Sequence, residues 1–146
     1  MRVLFLTQVL PFPLDAGPKV RAYYVLRHLA DSGHAVTLAS FRRAGDTPGA
    51  LAQLRQLCAA VHTVPMIRSP ARELAAFRRS RRTGRPFLIE RDEDAAMRAL
   101  VRSLAKGTAP EVVHADQLWM ASYAKARRSS SVTQTTWSKL RQVATS

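Results

Sequence analysis

The chain has 146 residues, of which 47% are hydrophobic and 23% are charged. This length and composition are typical of one globular domain with its own core, and they exclude a disordered or fibrous chain. Its 23 Lys and Arg residues against 10 Asp and Glu residues give a net charge of +13. Such a charge attracts nucleic acid, acidic lipid and phosphorylated sugars without choosing among them.

The cysteine count and the hydropathy pattern bear on the cellular compartment. Cys58 is the only cysteine, so no internal disulfide can form, which favours a reducing compartment. No apolar run approaches the ~20 residues that span a bilayer. The apolar stretch after Arg2 is too short for the core of a signal peptide. We therefore expect a cytoplasmic protein, with peripheral contact to the inner face of the cell membrane left open.

The first forty residues predict a β-α-β unit. Arg2–Thr7 is continuously apolar, as in a strand that is buried on both faces of a parallel sheet. A helix from about Pro18 to Asp31 follows, with apolar residues at i, i+3 and i+4 spacing. His34–Phe41 predicts the second strand, joined to the first by a right-handed parallel crossover.

The later chain predicts further helices and strands in alternation. A short leucine-containing helix precedes a third strand at Val61–Val64, and a helix with three acids at its start precedes a fourth strand at Glu111–Ala115. Asp94 and Arg98, four residues apart, predict an ion pair on the second of these helices. The predicted fold class is therefore α/β, a Rossmann-like parallel sheet flanked by helices.

One segment, Arg68–Arg85, is strongly basic. It contains seven arginines and one acid, Glu73, which gives a local charge of +6. Ala71, Leu74 and Phe77 predict a narrow apolar stripe on a helix. Such a surface attracts the phosphates of anionic lipid or nucleic acid. Apart from Phe77 and Phe87 no aromatic residues are interleaved with the arginines, which disfavours single-stranded nucleic acid. The alternative is a solvated basic helix.

The loop after the first strand contains the first candidate site. Gly17 falls at the predicted start of the helix, where free N–H groups and the helix dipole favour a phosphate or carboxylate. Lys19 and Arg21 add positive charge in the first turn. The alternative is a Gly-Pro pair that only shapes the turn, since the glycine pattern of dinucleotide-binding loops is absent.

The end of the fourth strand contains the second candidate site. A histidine such as His114 at a strand end can serve as a general base or bind a sugar hydroxyl, and the alternative is a structural histidine. Asp116 and Gln117 are suited to binding hydroxyls or to capping the next helix. The other histidines have no partners at ligand spacing, so no metal site is predicted.

Two stretches carry a resemblance to a known family. MRVLFLTQVLPFPLDAGPKVRAYYVLRHLADSGHAVTLASF, residues 1–41, closely resembles the opening of bacterial family 4 glycosyltransferases of the GT-B architecture. Within it, RVLFLT is similar to the family's first strand, PFPLDAGPKVR to its loop and AYYVLRHLA to its helix. EVVHADQLWMA, residues 111–121, is similar to the family's later strand and loop that end in a histidine.

The resemblance implies retaining transfer of a sugar from a nucleotide-sugar donor to a glycan or lipid-linked acceptor, without a cofactor. In the family this serves the synthesis of cell-surface polysaccharide or glycoconjugates. The chain would supply the acceptor-side domain. Gly17, with Asp15 and Lys19, would reach towards the donor phosphates, and His114 would lie near the transferred sugar.

The chain also departs from the family. In the family a C-terminal domain holds most of the nucleotide-sugar site, and we expect that this chain lacks it; residues 127–146 do not resemble the family. We expect an incomplete N-terminal domain at 1–126 that is inactive alone, and a non-native or disordered polar tail at 127–146, as in a truncated or frame-shifted product. The alternative function is a non-catalytic α/β domain that binds anionic membrane or nucleic acid through Arg68–Arg85; of these two partners, nucleic acid is not expected.

Overall fold

A computed structural model of the chain describes residues 1–124. The strands are β1 Arg2–Thr7, β2 Ala35–Arg42, β3 Ala60–Pro65 and β4 Val112–Ala115. The helices are α1 Gly17–Asp31, α2 Pro48–Leu57, α3 Pro70–Thr83, α4 Phe87–Asp92, α5 Ala95–Gly107 and α6 Ala121–Ala124, with a 3-10 turn at Leu118–Met120 before α6. The predicted polar tail at 127–146 lies outside the described residues.

The four strands form one parallel sheet in the order β3-β2-β1-β4. β1 is central, so that Leu4 lies opposite Thr37 of β2 on one side and opposite Val113 of β4 on the other. The predicted α/β class, with a Rossmann-like parallel sheet between helices, is confirmed.

Each face of the sheet has its own core. Alternate residues of β1 point to opposite faces, and both sets are buried, which explains why the strand is continuously apolar. Phe5 packs with Leu26 of α1 on one face. Leu4 packs with Met97 of α5 and Tyr123 of α6 on the other.

The start of α5 depends on Asp94. Its carboxylate accepts hydrogen bonds from the N–H groups of Ala96 (2.8 Å) and Met97 (3.2 Å) and pairs with the guanidinium of Arg72 at 2.8 Å. Burial alone would raise the pKa of Asp94, but the Arg72 and backbone hydrogen bonds outweigh it and lower the pKa. The predicted pair between Asp94 and Arg98 is wrong, because Arg98 pairs with Glu93 instead.

The helix α4 was not expected from the sequence, and it gives α3 its inner contacts. Its Glu90 is only 2% exposed. The Glu90 carboxylate accepts a hydrogen bond from the Thr83 hydroxyl (3.2 Å) and pairs with Arg85 (3.1 Å) and Arg79 (3.8 Å). A buried carboxylate is stable only when it is paired in this way, and an edge-to-face contact between Phe77 and Phe87 adds an apolar link between α3 and α4.

The apolar stripe predicted on α3 does not face the core. Ala76 is the buried residue of this helix, whereas Ala71 is exposed and Leu74 and Phe77 are 52% and 49% exposed. Acids of the domain pair with the arginines on the opposite side of α3. That side therefore faces the domain, and the apolar stripe faces solvent. Within residues 1–124, no helix combines the length and the hydropathy that crossing a bilayer requires.

Candidate functional site

A cleft opens at the carboxyl ends of the central strands. The chain leaves β1 through α1 to pair β2 on one side, and β4 pairs on the other side of β1. Ligands of open α/β sheets bind at such a topological switch point, because the loops on either side diverge there. The cleft measures about 430 Å³ and is lined by residues 8–9, 16–19, Arg21, Arg43, Gln117 and Trp119.

The start of α1 forms one wall of the cleft. Gly17 is the first residue of the helix, and the residue before it, Ala16, makes no side-chain capping hydrogen bond. The N–H of Val20 is the first to bond back into the helix, to the carbonyl of Ala16 at 3.0 Å. A Cβ added at Gly17 would meet no heavy atom within 4 Å. The fold therefore does not require glycine here, and the helix start is open to an anion.

Lys19 and Arg21, the predicted cations at the start of α1, each form an ion pair with a predicted acid. Lys19 Nζ lies 2.9 Å from Asp15 Oδ1. The Arg21 guanidinium donates to the carbonyl (3.1 Å) and the carboxylate (3.3 Å) of Asp116. Lys19 and Arg21 line the cleft while their acids do not, so Asp15 and Asp116 orient the cations.

Arg43 lines the cleft although the sequence did not predict it as a site residue. It follows directly after β2, and its backbone N–H donates to the carboxylate of Asp46 at 2.7 Å, which fixes the turn. Its exposed guanidinium makes no ion pair or hydrogen bond within the described residues. Arg43 is therefore a cleft cation whose charge is available to a ligand.

Gln117 joins the loops that follow β1 and β4. Its Oε1 accepts a hydrogen bond from the N–H of Gln8 at 2.9 Å and lies 3.4 Å from the hydroxyl of Thr7. Thr7 and Gln8 are both buried. Because Oε1 is used in this way, the Gln117 side chain is fixed at the cleft wall rather than capping the next helix, and its NH₂ group is the part left for a ligand.

Trp119 completes the opposite wall. It lines the cleft and also packs against the core beside α5 and α6. Its indole N–H is buried and has no hydrogen-bond partner in the part of the chain that the structure describes. Buried donors of this kind are uncommon and call for an explanation. With Gln8 and Arg43, Trp119 could have been found by one signal: all three follow closely after a strand.

His114 does not line the cleft. Its ring stacks on Phe5, with 4.8 Å between centroids, on the face of the sheet that α1 covers. Burial lowers the pKa of His114 and the Arg21 charge lowers it further, against the opposing effect of Asp116. The imidazole is therefore held neutral close to the site, without direct access to the cleft.

Two further features of the described residues bear on other kinds of ligand site. No group of three or more His, Cys, Asp or Glu side chains within residues 1–124 could hold a metal ion. A second concavity, between Ser69 and Asp94, measures about 30 Å³. That is room for a water molecule rather than a sugar.

Comparison of the chain with models of protein families, with curated proteins and with solved structures found no match.

We predict that Gln117→Ala destabilises the fold by about 1–3 kcal/mol, because it removes the side-chain oxygen that accepts from the buried Gln8 N–H. Gln117→Glu keeps an oxygen at that position and should lose less. The measurement is the free energy of unfolding in urea, with Gln53→Ala, an exposed glutamine on α2, as the matched control. An equal loss in all three variants would refute the bridging role.

We also predict a pH dependence from His114. Its pKa in the folded state lies below the ordinary 6.5, so protons bind the unfolded chain more readily. The stability that neutral His114 contributes is therefore complete above about pH 6.5 and is lost as the pH falls towards the folded pKa. His114→Gln should lose less stability than the native chain between about pH 8 and about pH 5. His28→Gln is the control for the loss of a surface histidine. The measurement is the free energy of unfolding against pH, and parallel curves for the native chain and both variants would contradict the prediction.

Proposed function

We propose that the chain is the acceptor-side domain of a GT-B glycosyltransferase. In this proposal, the complete enzyme transfers a sugar from a nucleotide-sugar donor to a glycan or lipid-linked acceptor in the synthesis of cell-surface polysaccharide or glycoconjugates. The cleft beside β1 is then half of an interdomain site, and a second domain supplies the other half.

The observation that carries the proposal is the chemistry of the cleft. Arg43 offers an unpaired guanidinium, and the open start of α1 at Gly17 offers backbone N–H groups, both of which suit a phosphate. Gln117 offers an amide to a hydroxyl, and Trp119 offers an aromatic surface. A cation, an amide and an aromatic surface together suit a phosphate joined to a sugar.

The location of the cleft supports the same class of ligand. It lies at the switch point of a parallel sheet, where nucleotides and sugar phosphates bind in α/β proteins. The residues that resemble family 4 glycosyltransferases, 1–41, include this same loop and the start of α1. Fold and location alone would fit many ligands, so the proposal depends on the residues in the cleft.

The cleft residues are suited to binding rather than to breaking bonds. The lining contains cations, amides and an indole but no carboxylate or imidazole, and His114 packs behind it. General acid–base chemistry needs such a group within hydrogen-bond reach of the substrate. We therefore propose that this chain positions phosphate and acceptor, and that the second domain completes the catalytic site.

The test is binding of nucleotide sugars and sugar phosphates, measured by calorimetry. Arg43→Gln should weaken binding about tenfold or more, since a hydrogen bond to a charged group contributes about 1.5–3 kcal/mol. Arg55→Gln removes the same charge from the exposed side of α2 and is the matched control. No binding by the native chain, or equal weakening by both variants, would overturn the proposal.

A transfer assay distinguishes a half-site from a complete one. With several nucleotide sugars and a mixed panel of acceptors, the chain by itself should bind donor without turnover, because catalysis requires both reacting groups to be positioned together. Sustained sugar transfer by the isolated chain would contradict the assignment to one half of a site.

A further inference from the structure

The arginines of α3 lie on two sides of the helix. On the side that contains the buried Ala76, Arg72 pairs with Asp94 at 2.8 Å and Arg79 pairs with Glu90 at 3.8 Å. The arginines of this inner side are therefore neutralised by acids from α4 and from the start of α5.

The outer side of α3 combines apolar and basic residues. Leu74 and Phe77 are about half exposed, and Arg78, Arg81 and Arg82 are exposed beside them. Arg78 and Arg82 make no ion pair within the described residues. The Arg81 guanidinium lies 6.0 Å from the centre of the Phe77 ring. This is the reverse of an ordinary surface helix, whose apolar residues face the core.

The helix α4 extends this surface. The ring of Phe87 meets that of Phe77 edge to face, with 6.4 Å between centroids, and the Arg91 guanidinium lies 6.0 Å from the Phe87 ring. Leu88, the next residue, is 50% exposed. We call the exposed set the α3–α4 patch; its members are Leu74, Phe77, Arg78, Arg81, Arg82 and Leu88.

We infer that the α3–α4 patch is a docking surface for an anionic lipid bilayer. Three arginines on one helix face are complementary in charge to acidic head groups, which attract basic residues near the membrane surface. The leucines and Phe77 decide between lipid and nucleic acid. A phosphate backbone has no apolar surface against which exposed Leu74 and Phe77 could be buried. A bilayer buries such side chains between its head groups.

The dimensions of α3 agree with peripheral binding. The helix has 14 residues, a length of ~21 Å, and it lies along the surface of the domain. Placed flat on a membrane, it would insert Leu74 and Phe77 while Arg78 and Arg82 bind lipid phosphates. This inference stands independently of the proposed sugar-binding cleft, because the two surfaces share no residue.

The experiment is co-sedimentation with vesicles of phosphatidylcholine alone and of phosphatidylcholine mixed with phosphatidylglycerol. The native chain should bind the mixed vesicles and not the neutral ones. The triple variant Arg78→Gln, Arg81→Gln, Arg82→Gln should bind on the order of a hundredfold more weakly. The matched control removes the same charge from exposed positions on α2 and α5, with Arg55→Gln, Arg102→Gln and Lys106→Gln, and should bind nearly as well as the native chain.

A second variant tests insertion at constant charge. Leu74→Ser with Phe77→Ser should weaken binding to mixed vesicles about tenfold or more. Leu74→Ser alone, which leaves the aromatic pair intact, should show part of that loss, and circular dichroism checks the fold of each variant.

Three results would overturn the inference. The control triple could weaken binding as much as the patch triple, which would assign binding to the overall charge of +13. The serine variants could bind vesicles like the native chain, which would exclude insertion. Duplex DNA at equal phosphate concentration could bind as tightly as the mixed vesicles, which would make the patch a nucleic-acid surface.

Discussion

β1 pairs in parallel with β2 on one side and with β4 on the other, and the site depends on this central position. Because all strands point the same way, the polar residues that follow β1, β2 and β4 meet at one edge of the sheet. Residues far apart in the chain, such as Gln8 and Gln117, thereby come within 2.9 Å. An apolar core covers both faces of β1, and the candidate binding residues lie in the loops beyond the strand ends.

The distribution of acids determines which cations are available. The chain has 23 basic residues and only 10 acids, so the positions of the acids decide which cations are paired. Asp15 and Asp116 hold two cations of the cleft, and Glu90 and Asp94 hold arginines on the inner side of α3. Among the cations that make no ion pair within the described residues are Arg43 in the cleft and Arg78 and Arg82 on the outer side of α3. The same scarcity of acids thus produces both candidate binding surfaces.

Much of the fold could be predicted from periodicity. β1 and α1 were predictable because apolar residues recur at strand or helix spacing, and the buried face of α5 follows in the same way. The helix α4 was not, because six residues between Pro86 and Glu93 are too few to show a period. The side of α3 that faces the domain could not be predicted either. Residue spacing defines an apolar stripe but does not say which side of the helix the rest of the protein covers.

The candidate site was predictable only in part, for a related reason. Gly17, Lys19 and Arg21 belong to a local pattern at a helix start. Arg43 and Gln8 are marked in the sequence only by following the end of a strand, and the parallel order of the strands brings them to the cleft. The pair between Arg21 and Asp116 joins residues 95 positions apart, so no window along the sequence contains it.

The central claim is that the cleft beside β1 binds a phosphorylated sugar. The most direct measurement is a nuclear magnetic resonance titration of the chain with a nucleotide sugar, following each backbone amide. The largest saturable shifts should fall on Gln8, Gly17, Lys19, Arg43 and Gln117. Shifts centred on α3, or shifts spread evenly over the surface, would contradict the account.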